Sequence, residues 1–519
     1  MSSLTPASYS DQPYFHTATA RDLTGRDRLL YRALEIFPGA LSWATLLLCI
    51  VLSFFVPIFV ACFIIAFDIY WLVKNVYLSA HLRHNWKRLK HNMTVDWSKE
   101  LSGHSYGHVY HMVVLPFYKE PADVVRGSLN GLLASDYDHS KLIVVLAGEG
   151  RAEEHARAIE QAMKNEYAGK FGELVLTVHP AGLPNEIPGK GSNISYATET
   201  VAKQVVAVRG LRFEDVLVSA FDVDTVPYPQ YFNCLTWHFL TTPDRLQCSY
   251  QPVPLFNNNL WQAPAISRVM ATSSSFWQMI QQERPERLAT FSSHAIPLSA
   301  LAAHKYWQRN MVSEDSRIFF NMFMAHNGNY RVVPISYPVS MDANVAPTLA
   351  GTVKNIYKQH LRWMWGVENI PYIVFHSIKN KAIPLRKRVG LCLTQIEGFW
   401  SLATNPIIIF LLGWLPLMIG GDAFNDTIIA RNLPIIARDI MSVTMLGLIL
   451  LAAVSQSLLP VRPPQTARYR RVTMILQWIL VPITITVFAA IPGLHAQTRL
   501  MFGRYMGFWV TPKARSKVQ

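Results

Sequence analysis

The chain has 519 residues, half of them hydrophobic, and carries 48 Lys and Arg against 34 Asp and Glu for a formal net charge of +14. The length allows two or three domains, and the apolar share argues against an ordinary soluble protein. Nucleic-acid binding is excluded by where the charge sits: the basic residues flank hydrophobic runs, as Arg26, Arg28 and Arg32 do, or Arg386, Lys387 and Arg388.

The N-terminus does not read as a signal peptide, because about forty residues, many of them polar, precede the first apolar run. Residues 41–78 then hold no acid before Asp68. One helix of that length would span roughly 57 Å against a hydrocarbon core of roughly 30 Å, so two helices meeting near Pro57 fit better. Further spans are expected at 400–421, 435–459 and 472–495. Lysine and arginine prefer the cytoplasmic side. The N-terminus, the central region and the basic 460–471 loop are therefore expected in the cytosol, opposite the 421–433 loop with Asp422 and Asp426. Cys49, Cys62, Cys234, Cys248 and Cys392 show no metal-ligand spacing and read as reduced, buried small hydrophobes.

Residues 100–380 alternate strand-like runs (111–115, 141–147, 173–178, 215–220) with helical ones (121–134, 151–170, 192–208). That order predicts βαβ units and a mostly parallel sheet, with ligands beyond the carboxyl ends of the strands. Further on, helical stretches at 229–241 and 262–282 surround a Pro/Asn-rich stretch at 251–259, read as a loop. Residues 352–379 read as one long aromatic-rich amphipathic helix, lying in the membrane interface or covering the sheet.

Four short motifs punctuate this pattern: Leu115-Pro-Phe-Tyr-Lys-Glu120, Phe221-Asp-Val-Asp-Thr225, Ser313-Glu-Asp315 and Gln359-His-Leu-Arg-Trp363. Asp222 and Asp224 close a strand. Alone they suit an acidic turn; in this company they suit Mg²⁺ or Mn²⁺, which carboxylates hold together with phosphate oxygens. Ser313 with two acids suits a helix start, while Asp315 can also serve as a general base. Gln359, Arg362 and Trp363 share a helix face; the arginine fork can grip a diphosphate and the indole can meet a sugar ring, whereas Trp365 reads as an interfacial tryptophan. Lys190, in Gly189-Lys-Gly-Ser-Asn193, can add a second positive charge before a helix, though the glycines equally suit a plain turn.

These motifs, in this order and between membrane spans, resemble the family 2 glycosyltransferases, closest to the cellulose-, chitin- and hyaluronan-synthase-like branch. The resemblance covers residues 40–515. It implies an α/β GT-A-like fold, Rossmann-related, in a cytosolic domain flanked by transmembrane helices. It also implies inverting, metal-dependent transfer of a sugar from a nucleotide-diphosphate donor, with a UDP-sugar foremost, to a growing polysaccharide; transfer of one sugar to a lipid acceptor is the alternative. By resemblance Pro116, Tyr118 and Glu120 line the nucleoside pocket, Asp222 and Asp224 bind nucleotide and metal, and Asp315 is the base. Glu314, Gln359 and Trp363 would meet the acceptor and Arg362 the diphosphate. Phe508-Trp-Val-Thr-Pro-Lys513 looks like the gating loop of bacterial cellulose synthases, which puts Thr511 and Lys513 on the diphosphate; an ordinary basic tail reads the same way.

Two features depart from that family. Its usual acid after the second strand is replaced by Glu149, whose longer reach leaves the base open. Three spans after the catalytic domain would also put the tail on the wrong side, unless 472–495, interrupted by Pro482, is re-entrant or forms a short hairpin. The expected organisation is a cytosolic segment at 1–37, a transmembrane hairpin at 38–80, the catalytic domain at 81–387, membrane helices at 388–500 and a basic tail at 501–519. The whole is expected in the plasma membrane, in contact with the lipid bilayer, and nothing identifies a partner subunit.

Overall fold

The computed structural model describes residues 9–464, 466, 467 and 469–511. Its centre is one sheet built from β1 (Tyr110–Pro116), β2 (Leu142–Glu149), β3 (Glu173–His179), β4 (Val216–Ala220), β5 (Val226–Pro227), β6 (Cys248–Leu255), β7 (Ala295–Pro297) and β8 (Arg331–Ser340). The strand order is β3-β2-β1-β4-β7-β6-β8-β5. The pairs β1–β2, β1–β4, β2–β3 and β6–β8 are parallel, and the other pairs are antiparallel. The sheet is thus mostly parallel, as the alternation of elements predicts.

Strands buried on both faces read as apolar runs, and β1 shows how each face is used. Met112 and Val114 pack under helices Lys190–Val201, Glu314–Ala325 and Asn369–Lys379. Val113 and Leu115 pack on the opposite side under Ala122–Leu133, Glu153–Tyr167 and Tyr231–Thr241. Phe15, from the N-terminal segment, is buried in the first of these layers.

Four expectations need correction. Cys62 is exposed and Cys392 only partly buried, so the five cysteines are not all buried. Residues 251–255 are not loop but the end of β6, an interior strand whose Pro252 and Pro254 are accommodated at a register shift between Gln251 and Val253. Residues 352–379 are two α-helices, Leu349–Met364 and Asn369–Lys379, joined by a 3₁₀ turn at Trp365–Glu368. Trp365 is not interfacial, being 1 % exposed.

Among the described residues five helices are long and apolar enough to cross a membrane: Gly25–Phe55, Pro57–Asn92, Leu385–Leu412, Ile428–Ser457 and Arg470–Met501. The first two meet at Val56 beside Pro57. Four of them run side by side between the sheet domain and a far end. At the far end a Cβ on Gly420 would lie 2.8 Å from Pro57, and Val60, Ala61 and Ile64 pack on Phe424, Ala430 and Leu433. At the near end Trp86 and Lys90 donate to Ser457 at 2.7 and 2.6 Å.

The fifth helix, Arg470–Met501, meets the near end at both of its ends, while its Leu494 packs among Leu46, Phe67 and Ile408 of the other helices. Trp478 stacks on Phe276 and donates to Ser455. Phe488 packs on Met270 and Ile356 of the sheet domain. His495 meets Tyr357 at 3.0 Å, and Arg32 donates to the carbonyls of Leu500 and Met501. Both ends of the helix therefore face the sheet domain, and the C-terminal tail returns to it.

Candidate active site

The carboxyl ends of β1, β2 and β4 open on a common cleft, and Lys190 lies at its centre. The first turn of the Lys190–Val201 helix places its ammonium 2.7 Å from Asp222 Oδ1 and 3.0 Å from Asp315 Oδ2. Burial alone would push that ammonium's pKa down, but Asp222 and Asp315 outweigh it and hold it above the ordinary lysine value. It is a fixed cation. Asp315 Oδ1 makes no hydrogen bond among the described residues and lies 3.9 Å from His294 Nδ1.

His294 is fully buried. Its Nε2 accepts from Trp307 Nε1 at 3.1 Å, so Nδ1 carries the proton and donates to the Phe291 carbonyl at 2.6 Å. Burial lowers its pKa, against the pull of Asp315, so a neutral ring backs that aspartate. Glu314 is buried, and neither carboxylate oxygen has a hydrogen-bond partner among the described residues. Burial and then Asp315 push its carboxyl up to about 8, with Lys190 and Arg362 opposing.

Asp224 is fully buried and is held by residues that no motif contains. Asp342 N donates to its Oδ2 at 3.0 Å, and Asn258 Nδ2 donates both to its carbonyl, at 3.0 Å, and to Asp342 Oδ1, at 2.9 Å. Among the described residues no group of three or more His, Cys, Asp or Glu could hold a metal ion. Two hard carboxylates beside a buried cation still suit Mg²⁺ or Mn²⁺ where phosphate oxygens complete the shell.

At the β1 and β2 ends, Glu120 Oε2 accepts from the backbone of Tyr118 and Lys119 at 2.7 and 3.1 Å. The Arg151 guanidinium lies 4.6 Å from the Tyr118 ring and donates to Glu149 Oε2 at 2.8 Å through Nε. Pro116, Tyr118, Glu120 and Glu149 therefore share one corner of the cleft, with Arg151 as an unforeseen fifth member.

On the other side, Asn344 donates to Gln359 Oε1 at 3.2 Å. Trp363 faces Phe256 across 6.0 Å, over a pocket that Asp342, Asn344 and His360 also line. The tail closes the front. Phe508 lies 5.0 Å from the Arg362 guanidinium, and a Cβ on Gly189 would come within 2.6 Å of its ring. Trp509 faces Lys358, and Thr511 is buried with its hydroxyl unpartnered among the described residues. Ser313 does not cap its helix through its side chain. Lys513, like Arg515 and Lys517, lies outside the described residues.

The structure thus gathers Asp222, Asp315, Glu314, Lys190 and Arg362 around one point, with Asp224 two residues beyond Asp222. Residues 217–490 match a family model described as glycosyl transferase family group 2. No curated protein matches the chain. Among solved structures, the mannosyltransferase PcManGT from Pyrobaculum calidifontis, in complex with GDP-Man and Mn²⁺, aligns over 78 % of this chain and 99 % of its own, at 14 % identity and a TM-score of 0.37. TarS 1–349 from S. aureus, in complex with UDP-GlcNAc, aligns over 67 % of this chain and 91 % of its own, at 12 % identity and a TM-score of 0.33. At those scores both likenesses are slight.

Proposed function

The chain belongs to the group 2 family of glycosyltransferases, and from that premise we propose that it transfers a sugar, with inversion, from a nucleotide diphosphate to a growing polysaccharide at the membrane. The family membership makes it a hexosyltransferase with a GT-A sheet. The observation that carries the finer reading is the Lys190 ammonium bridging Asp222 and Asp315. It puts the candidate base and the candidate phosphate site on opposite sides of one cation.

In this reading the nucleoside sits among Pro116, Tyr118, Glu120 and Glu149. Asp222 and Asp224 would hold Mg²⁺ or Mn²⁺, which when bound neutralises charge on the diphosphate. Lys190 supplies a permanent positive charge to the same oxygens, and Arg362 and Thr511 grip them from the tail side. The sugar's anomeric carbon then faces Asp315. The acceptor hydroxyl gives its proton to Asp315 Oδ1, the oxygen with no other bond, and its oxygen forms the new bond to the anomeric carbon. The bond to the diphosphate breaks on the opposite face, and the diphosphate leaves with the electron pair. One displacement inverts the centre. Trp363, Gln359 and Glu314 orient the acceptor, and the cytosolic placement of the cleft follows from the basic flanks of the helices.

Asp315→Asn keeps the shape and a hydrogen-bond acceptor for Lys190 while removing the base. It should lower sugar transfer by about 10²-fold or more, with nucleotide diphosphate binding within about threefold of wild type by calorimetry. Full transfer activity in that variant would remove the base assignment.

A further inference from the structure

The helix that begins with Glu314 and Asp315 and the helix carrying Gln359, Arg362 and Trp363 come from distant parts of the chain. One buried carboxylate outside every motif joins them. Glu368 Oε1 accepts from Ser313 N at 2.9 Å and Val312 N at 3.2 Å, while its Oε2 accepts from Trp365 Nε1 at 2.8 Å. Glu368 is 5 % exposed, so water does not compete for these bonds.

Arg317, in the same helix as Asp315 and fully buried, closes the link from the other side. It donates to the Glu368 carbonyl at 3.1 Å and to Asn369 Oδ1 at 2.7 Å, and Asn369 Nδ2 donates to Ser316 Oγ at 2.9 Å. Buried hydrogen bonds therefore tie residues 312–317 to residues 365–369. A buried carboxylate persists only when donors and countercharge compensate it, and every compensating group here belongs to one of the two segments that bear the reacting motifs.

We propose that Glu368 is a positioning residue for sugar transfer, setting Asp315 at a fixed distance from Arg362 by bonding the backbone ahead of one and the indole just after the other. The inference rests on Asp315 as base and Arg362 as diphosphate grip. In such a reaction a displacement of about 1 Å between the proton acceptor and the donor sugar can cost about 10²-fold in rate.

Glu368→Gln tests it. The amide keeps the size but offers one acceptor oxygen and one N–H₂, so whichever way it faces, N–H meets N–H at the loop or at Trp365. Purified folded E368Q, checked by thermal unfolding, should show kcat lower by about 10- to 100-fold with donor KM within about threefold of wild type. Trp365→Phe cuts the same link, so the double variant should fall no further than E368Q. Folded E368Q with kcat within about twofold of wild type, or strictly additive losses in the double variant, overturns the proposal. If E368Q does not fold, W365F alone decides: a kcat about fivefold lower at unchanged donor KM supports the link, and a wild-type kcat overturns it. Absence of sugar transfer by the wild-type enzyme would instead remove the functional reading, which leaves the two failures distinct.

Discussion

Glu314 has no hydrogen-bond partner among the described residues for either carboxylate oxygen, and its carboxyl is pushed up to about 8, first by burial and then by Asp315. The same helical turn carries Asp315, which shares the Lys190 ammonium with Asp222. Adjacent acids thus face different surroundings, Asp315 beside a cation and Glu314 kept neutral in the dry interior. The neutral acid has a thermodynamic consequence. The unfolded chain releases the Glu314 proton near 4.5, whereas the folded protein holds it until about 8. Between those values the native state binds more protons than the unfolded one, so stability from this group is full below the window and declines as pH rises through it. The melting temperature of the ligand-free protein in detergent should therefore fall from pH 5 to pH 8, and less steeply in Glu314→Gln. Equal slopes in the two proteins would show that Glu314 is already ionised in the folded state.

At the scale of elements, the Arg470–Met501 helix decides where the tail goes. It is long and apolar enough for a span, yet it touches Phe276, Ile356 and Tyr357 of the sheet domain as well as Arg32, Leu46 and Ile408 of the other helices. Single cysteines at Asp422→Cys, Arg462→Cys and Gly507→Cys, made in a variant lacking the exposed Cys62, should label from opposite sides of the membrane with an impermeant maleimide. Positions 462 and 507 should react together and 422 alone; if 507 reacts with 422, the helix crosses. Sequence periodicity does not see such a placement, because apolar side chains facing a domain and facing lipid read alike. The parallel half of the sheet was legible for the converse reason: β1, β2 and β4 are buried through their interiors and read as apolar runs. In β6 and β8 the prolines at 252, 254, 334 and 338 mimic loop, and β7 is only three residues long. The motif residues of the site were legible because each stands in a short spaced pattern. His294, Asp342, Arg151 and Glu368 were not, because their roles come from contacts across the fold that leave no local pattern.

Taken whole, the molecule is a sheet domain set on four side-by-side helices, with a fifth helix whose ends both face the sheet domain, and strapped at both chain ends. The N-terminal segment buries Phe15 in the sheet's core, and Tyr505 at the base of the tail bonds Glu35 in the first helix at 2.8 Å. The tail then reaches Gly189 and Arg362, so the entrance for a donor is framed by residues more than three hundred positions apart in sequence. The pocket beside Trp363 lies where Met270 and Ile356 of the sheet domain meet Phe488 of the fifth helix. The most direct test presents the purified full-length enzyme, in lipid nanodiscs with Mn²⁺, with a panel of nucleotide-diphosphate sugars and follows release of the nucleoside diphosphate. The wild type should consume at least one of them and build sugar onto an acceptor, while Asp222→Asn should lose that release by about 10²-fold or more. Release by Asp222→Asn at the wild-type rate, or no release from any nucleotide sugar by the wild type, would contradict a transfer centre built around Asp222, Lys190 and Asp315.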